Sequence, residues 1–174
     1  TLAARHRAAR MLGDGQTPFD AWATIQGTET LQLRMERHCE NAHAVAEFLD
    51  DHPEVAWVTY PGLPDHETHD AASEYLDDFG GMVAFGLEGG YEAGKRLCEA
   101  VDLATFLANV GDARTLIIHP ASTTHAQLSE AEQRASGVAP DLLRLSVGIE
   151  DVADVLDDLD SAIGRATGRT RGGA

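Results

Sequence analysis

The sequence predicts an α/β protein in which a helical lead-in precedes one compact α/β layer, from about residue 54 to 166. Two observations support this prediction. Apolar residues recur at helical spacing over long stretches before residue 50 and after residue 151. Between these stretches, short apolar runs alternate with turns and short helical patterns, and the clearest run covers 142–149. Strands alternating with helices are typical of the α/β class.

The lead-in contains three predicted segments. Residues 1–17 begin in a basic, Ala-rich helical pattern and end in a Gly-rich turn. Thr17 followed by Pro18 predicts a helix start, since threonine caps helices and proline fits the first helical position, and this helix extends to about residue 26. A long helix is then predicted over about 28–50. Its apolar stripe consists of Leu31, Met35, Cys39, Ala42, Val45, Ala46 and Leu49.

The α/β layer is predicted to contain five strands and four helices. The strands cover 55–59, 82–87, 105–107, 115–118 and 142–149, and the first two helices cover 70–76 and 90–101. Ser129 and Glu132 have the spacing of a capping box, which predicts the start of the third helix. The last helix follows Asp151 and buries a stripe of Val152, Val155, Leu156, Leu159 and Ile163. Residues 167–174 are predicted to form a disordered tail.

The charge balance excludes one class of partner. The chain carries 29 acidic and 13 basic residues in 174, for a net charge of -16. Nucleic acid is therefore not expected as a partner, because a polyanion would be repelled. Lys95 is the single lysine, and Asp outnumbers Glu 16 to 13. This skew predicts a protein adapted to high salt; the alternative is an ordinary acidic protein.

The sequence also indicates a cellular compartment. No apolar stretch approaches the roughly 20 residues of a membrane-spanning helix, and the first residues lack a signal-peptide core. We therefore expect a cytoplasmic protein without a membrane partner. Cys39 and Cys98 fall inside helical patterns and are too few for a disulfide framework. Both are predicted to be buried and reduced.

One arginine stands in the middle of the clearest strand. Alternation along 142–149 places Leu143, Leu145, Val147 and Ile149 on one face, with Arg144 and Ser146 on the other. A buried guanidinium without a partner would be costly. Arg144 is therefore expected to meet a carboxylate, supplied by either the protein or a ligand, and its planar fork suits a bidentate contact.

Two polar segments form a second candidate region. Residues 109–114 lie between two short predicted strands, and residues 119–125 are rich in small hydrogen-bonding side chains. Such segments bind anions in some proteins, whereas in others they are polar only because they are exposed to solvent. A metal site at His119 and His125 is disfavoured, because no carboxylate or cysteine stands at a supporting spacing. Five other histidines are predicted to be solvated on helix surfaces or loops: His38, His43, His52, His66 and His69.

Six motifs occur together in a characteristic order and spacing. They cover 33–42, 60–63, 79–82, 108–112, 119–125 and 144–150. With them the chain resembles, over about residues 1–166, the C-terminal part of the Cys/Met-metabolism family of pyridoxal-phosphate enzymes. Within the family the sulfhydrylase branch is the most similar. This branch assignment depends on Asn109, Val110 and the run 122–124. Family members that catalyse elimination resemble one another in having serine at position 109, leucine at 110 and methionine at 123.

The resemblance implies a fold-type I, aspartate-aminotransferase-like architecture. Residues 1–52 would be the helical end of the large cofactor domain with the interdomain helix, and 53–166 the C-terminal α/β small domain. In that family the lysine that binds pyridoxal phosphate covalently lies in the large domain. Lys95 does not match its motif. The resemblance therefore implies that this chain contains no catalytic residue and is inactive alone.

The resemblance also implies a substrate-binding wall. Arg144 matches the family arginine that binds the α-carboxylate of the amino acid. Asn109 falls near that carboxylate, and Val110 contributes backbone. His119, Ser122 and Thr124 would support this wall from behind.

The implied activity is a pyridoxal-phosphate-dependent γ-replacement in methionine and cysteine biosynthesis. Sulfide would replace the acetate of O-acetylhomoserine to give homocysteine, in a homotetramer built as a dimer of dimers that acts on a small amino acid. The alternatives within the family are methionine γ-lyase, cystathionine γ-synthase and cystathionine lyase. The alternative from another class is a free-standing regulatory domain that binds amino acids through Arg144.

Overall fold

The computed structural model describes residues 15–168. Residues 1–14 of the predicted basic, Ala-rich segment over 1–17 and residues 169–174 of the predicted tail lie outside this range. The chain divides into two compact units, residues 1–33 and 34–174. The assignment of residues 1–52 to a large cofactor domain stays a prediction.

Helix α1 (Pro18–Glu29) belongs to the first unit. It begins as predicted: Thr17 Oγ1 accepts a hydrogen bond from the Asp20 amide at 3.1 Å, and the Asp20 carboxylate accepts one from the Thr17 amide at 2.9 Å. This capping box satisfies two amide groups that a helix start leaves without partners. The helix ends three residues later than the sequence pattern predicts.

The remaining elements alternate as the sequence predicts. Helix α2 (Leu31–Asp50) spans the division between the two units. The second unit then contains β1 (Val55–Thr59), α3 (His69–Tyr75), β2 (Met82–Leu87), α4 (Gly90–Ala100), β3 (Thr105–Phe106), β4 (Leu116–Ile118), a 3-10 turn (Pro120–Ser122), α5 (Glu130–Ala135), β5 (Leu142–Ser146) and α6 (Val152–Thr167).

The five strands form one sheet in the order β1-β2-β5-β4-β3. Neighbouring strands are antiparallel, except that β3 and β4 are parallel. Strand β5 lies at the centre, where Arg144 is opposite Ala84 on one side and Ile118 on the other. It ends at Ser146, earlier than predicted, and the carbonyl groups of Gly148 and Glu150 beyond it accept hydrogen bonds from a side chain of α2. The candidate arginine therefore stands in the middle of the sheet.

The core lies on the face of the sheet opposite Arg144. Leu143 and Leu145 are fully buried there, as strand alternation predicts. Helices α4 and α6 contribute Leu97, Cys98, Leu159 and Ile163, and the C-terminal half of α2 contributes Ala42, Val45, Ala46 and Leu49. The compact α/β unit therefore begins within α2 and not after it.

The predicted stripe of α2 is only partly correct. Its second half is buried, whereas Met35 is 39% exposed. Cys39 and Cys98 are both buried and free, as predicted. Burial raises the pKa of the Cys98 thiol to about 12, which keeps it protonated and inert.

The final helix differs from its prediction in two respects. Asp158 is buried, and its carboxylate accepts hydrogen bonds from the amides of Asp102 at 2.8 Å and Ala104 at 2.9 Å. The helix continues through Thr167 and ends at Gly168, which adopts a positive φ of 83°. Between residues 15 and 168, no helix is long and apolar enough to cross a membrane.

Candidate functional site

Arg144 lies on β5 with part of its hydrogen-bonding capacity unused. Its Nη2 atom donates to the carbonyl oxygen of Asn109 at 3.2 Å. Its Nε atom is buried, and within residues 15–168 it has no hydrogen-bond partner. No carboxylate in the same range forms an ion pair with it. The sequence left open whether the protein or a ligand supplies a carboxylate to Arg144. The described part of the protein supplies none.

The loop after β3 closes over this strand. Asn109 and Val110 are exposed, and the Gly111 amide approaches Ser146 Oγ at 3.4 Å. Gly111 adopts a positive φ of 73°, which a residue with a side chain seldom adopts. The structure therefore brings Asn109, Val110 and Arg144 together. The contact runs through the Asn109 backbone carbonyl and not through its side-chain amide.

An ion pair stiffens the far end of this loop. The Asp112 carboxylate accepts hydrogen bonds from the Arg114 amide at 3.1 Å and from Arg114 Nε at 3.3 Å. These hydrogen bonds lower the pKa of Asp112. Asp112 is therefore ionised at neutral pH and already paired, so Arg144 remains free of this neighbouring carboxylate.

Two side chains of α2 hold the segment that follows β5. His38 Nδ1 lies 2.6 Å from the carbonyl oxygen of Val147, and Asn41 Nδ2 donates to the carbonyls of Gly148 at 3.0 Å and Glu150 at 2.9 Å. The prediction that His38 is solvated is wrong, because it is only 3% exposed. Sequence reasoning did not single out Asn41 either.

A second set of contacts holds the same segment from Thr115, the residue before β4. The Glu150 carboxylate accepts hydrogen bonds from the Thr115 amide at 2.6 Å and from Thr115 Oγ1 at 2.9 Å. The Gly148 amide donates to Thr115 Oγ1 at 2.9 Å. We call residues 147–150 with His38, Asn41 and Thr115 the β5 clamp. It fixes the strand that carries Arg144.

His119 is buried behind the sheet with both ring nitrogens occupied. Its Nε2 atom lies 2.8 Å from the carbonyl oxygen of Pro140 and must donate, so Nδ1 accepts from Ser122 Oγ at 2.9 Å. Burial lowers the pKa of His119, which favours this neutral form. Thr124 does not join the pair, since it is exposed and binds His125. The supporting role of these three residues stays a prediction.

The other histidines divide into two groups. His52 is buried, contrary to its prediction, and its Nε2 atom lies 3.3 Å from the Asp160 carboxylate. His43, His66 and His69 are half-buried. Among the residues that the structure describes, no three His, Cys, Asp or Glu side chains come together as a metal site.

A cavity of about 270 Å³ opens beside Arg144's strand. Its wall is mainly apolar and is formed by Met35 and His38, by 80–82, by 110–111 and by 146–147. His38 Nε2 is buried and, in the described part of the chain, lacks a hydrogen-bond partner. Within residues 15–168, the buried side-chain nitrogen and oxygen atoms without a hydrogen-bond partner are His38 Nε2 and Arg144 Nε.

Comparison with known proteins gives consistent relatives. Residues 2–164 match the family described as Cys/Met metabolism PLP-dependent enzyme. O-acetyl-L-homoserine sulfhydrylase 1 of Thermus thermophilus is 52% identical over 161 residues, which are 92% of this chain and 38% of that protein. An L-methionine gamma-lyase of Fusobacterium nucleatum is 45% identical over 153 residues, which are 88% of this chain and 39% of the relative.

A solved structure from Campylobacter jejuni, assigned as an O-acetylhomoserine (thiol)-lyase, is also similar. The two chains superpose with a TM-score of 0.83 and are 40% identical in sequence. The match covers 93% of the present chain and 39% of the Campylobacter chain. That structure contains N'-pyridoxyl-lysine-5'-monophosphate. The present chain thus spans somewhat more than a third of the length of the relatives it matches.

Proposed function

The chain belongs to the Cys/Met metabolism PLP-dependent enzyme family, and we propose that it is the C-terminal part of an O-acetylhomoserine sulfhydrylase. The whole protein would make homocysteine from O-acetylhomoserine and sulfide by γ-replacement. The observation that carries this proposal is Arg144: a central-strand arginine with a buried Nε atom that has no partner within residues 15–168. In a family that acts on amino acids, such a group fits the substrate α-carboxylate.

The role of Arg144 is to bind and orient. A guanidinium presents parallel N–H groups that match the two oxygens of a carboxylate. The hydrogen bond to the Asn109 carbonyl fixes the plane of the fork, and the β5 clamp fixes the strand beneath it. A carboxylate held in this way keeps the reacting side chain in one position, which lowers the entropic part of the barrier.

The residues of this chain fit the part of the site that binds the amino-acid substrate. They do not fit the lysine that binds the cofactor covalently. Pyridoxal phosphate, when bound, supplies the electron-withdrawing ring that permits replacement on an amino acid. Lys95, the single lysine, is exposed on α4 within a small-domain helix. We therefore propose that the anchoring lysine lies outside this sequence and that the chain alone is inactive.

The partition between replacement and elimination tests the branch. Methionine γ-lyase is the second candidate, because the Fusobacterium relative is nearly as similar as the sulfhydrylases. The complete protein, loaded with pyridoxal phosphate, should form homocysteine from O-acetylhomoserine and sulfide far faster than it releases α-ketobutyrate from methionine. The opposite preference would overturn the sulfhydrylase proposal and leave the family intact. A regulatory domain would form neither product.

We further propose a transferase that works in the cytoplasm of a salt-loving organism as a homotetramer. The net charge of -16 supports the salt adaptation, since unscreened repulsion favours expansion. Thermal unfolding should shift upward as potassium chloride rises from low to molar concentration. An unfolding temperature indifferent to salt would contradict that origin.

A further inference from the structure

We propose that the cavity beside His38 binds the thiol co-substrate, sulfide or a short alkyl thiol, and that His38 Nε2 accepts the hydrogen bond from its S–H group. This inference rests on the proposed function, because it assigns the second substrate of the same site.

The hydrogen bond on the other side of the ring determines what His38 can do. Nδ1 lies 2.6 Å from the Val147 carbonyl oxygen, which can only accept, so Nδ1 carries the proton. In the neutral ring, Nε2 is then an acceptor. This acceptor is buried and has no partner among the described residues. Buried polar atoms are almost always satisfied, and the ring that carries this one lines the cavity, so we assign its missing donor to a ligand bound in the cavity.

The cavity around this nitrogen suits a thiol. Its wall is mainly apolar, and two thioethers, Met35 and Met82, contribute to it. Thioethers are soft and polarisable, and an S–H group is a weak donor that loses little on leaving water. An ester or a carboxylate offers only acceptors and would leave Nε2 unsatisfied. At about 270 Å³, the cavity has room for sulfide or for methanethiol.

The cavity borders the loop whose backbone contacts Arg144. Val110 and Gly111 line it, and the preceding residue, Asn109, accepts the hydrogen bond from Arg144. Ser146 lines it from β5, on the same face of the strand as Arg144. A thiol bound beside His38 would therefore approach an amino acid whose carboxylate is held by Arg144.

The variant His38→Asn separates two roles of the ring. Asparagine Nδ2 takes the place of Nδ1 and keeps a donor for the Val147 carbonyl, while the acceptor at Nε2 is removed. In the complete protein loaded with pyridoxal phosphate, KM for sulfide should rise at least tenfold. KM for O-acetylhomoserine should stay within a factor of two. The matched control is His52→Asn, a second buried histidine whose Nε2 faces Asp160, and it should leave KM for sulfide unchanged.

A cavity-filling variant distinguishes the two thiols and does not depend on His38. Met82→Phe narrows the cavity and should raise KM for methanethiol more than KM for sulfide. Binding is also measured without turnover: the methyl resonance of methanethiol should broaden in the presence of the wild-type protein and stay sharp with His38→Asn. Because Met82→Phe leaves His38 in place, the comparison of the two thiols tests the site even if His38→Asn fails to fold.

The outcomes separate the two proposals. If the wild-type protein forms no homocysteine from sulfide, the proposed function fails, and the thiol site fails with it. If the wild type is active but His38→Asn leaves KM for sulfide unchanged, only the thiol site is overturned. A parallel rise of both KM values would likewise overturn it, since the ring would then act only through the strand.

Discussion

The Arg144 site lies on β5 and the β5 clamp holds the segment that directly follows it, yet the two regions differ in how their polar groups are satisfied. In the clamp, the carbonyls of Val147, Gly148 and Glu150 all accept hydrogen bonds, and the Glu150 carboxylate has two donors. At the Arg144 site, Arg144 Nε and His38 Nε2 have no partner among residues 15–168. Among the described residues, the polar groups of the first region have partners and these two atoms of the second do not.

The difference separates fold from function. Buried polar groups whose task is structural are satisfied by protein atoms or by ordered water. His38 belongs to both regions, since its Nδ1 joins the clamp and its ring lines the cavity. Substitutions in the clamp should therefore act on stability, and substitutions at the unsatisfied atoms should act on substrate binding.

The largest effect on stability is expected from Gly148→Ala. An added Cβ would meet the Ala113 carbonyl oxygen and the Thr115 amide at 2.5 Å and would also collide with the Glu150 carboxylate. Because two of these neighbours are backbone, the strand must shift, and the free energy of unfolding should fall by about 2–4 kcal/mol. Urea denaturation measures this loss. A change in the free energy of unfolding below about 0.5 kcal/mol would show that the clamp accommodates the added methyl group and is not closely packed.

A smaller loss is expected from Asn41→Leu. This variant leaves the Gly148 and Glu150 carbonyls without their donor in a buried position, at a cost of about 1–3 kcal/mol. Arg37→Ala on the same helix is the control, because Arg37 is exposed and forms a surface ion pair with Glu40. Equal stability of the two variants would contradict the role of Asn41.

The smallest effect is a pH dependence that belongs to His119. Burial lowers its pKa in the folded state, so below pH about 6.5 the unfolded state binds more protons. Its contribution to stability is full above that pH and is lost as the pH falls toward the lowered value. His119→Gln should therefore lose less thermal stability than the wild type between pH 8 and pH 5.5. Parallel losses in both proteins would exclude His119 as the source.

The local rules of the sequence predicted the parts of the fold that depend on neighbours in the chain. The capping box at Ser129 forms as predicted, and Thr17 caps its helix as predicted, with Asp20 completing a capping box there that the sequence analysis did not name. Strand alternation also identified Arg144 on the face away from the buried Leu143 and Leu145. In each case, the partner or the period lies within a few residues.

Burial set by distant partners could not be predicted in this way. His38 and Val147 are 109 positions apart, and Asp158 binds amides more than 50 positions away. On helical patterns alone both side chains resemble surface residues. The motifs over 33–42 and 144–150 contained the only signal for the clamp, and that signal came from the family resemblance and not from local physics.

The most direct test of the account is the kcat/KM of Arg144→Lys in the complete protein, with O-acetylhomoserine and sulfide as substrates. Lysine keeps the charge but cannot form the two parallel hydrogen bonds, so kcat/KM should fall by about 30- to 1,000-fold while the unfolding temperature changes little. Arg114→Lys, in the exposed ion pair with Asp112, is the control and should remain near wild type. A kcat/KM for Arg144→Lys within a factor of two of wild type would contradict the assignment of Arg144 to the substrate carboxylate.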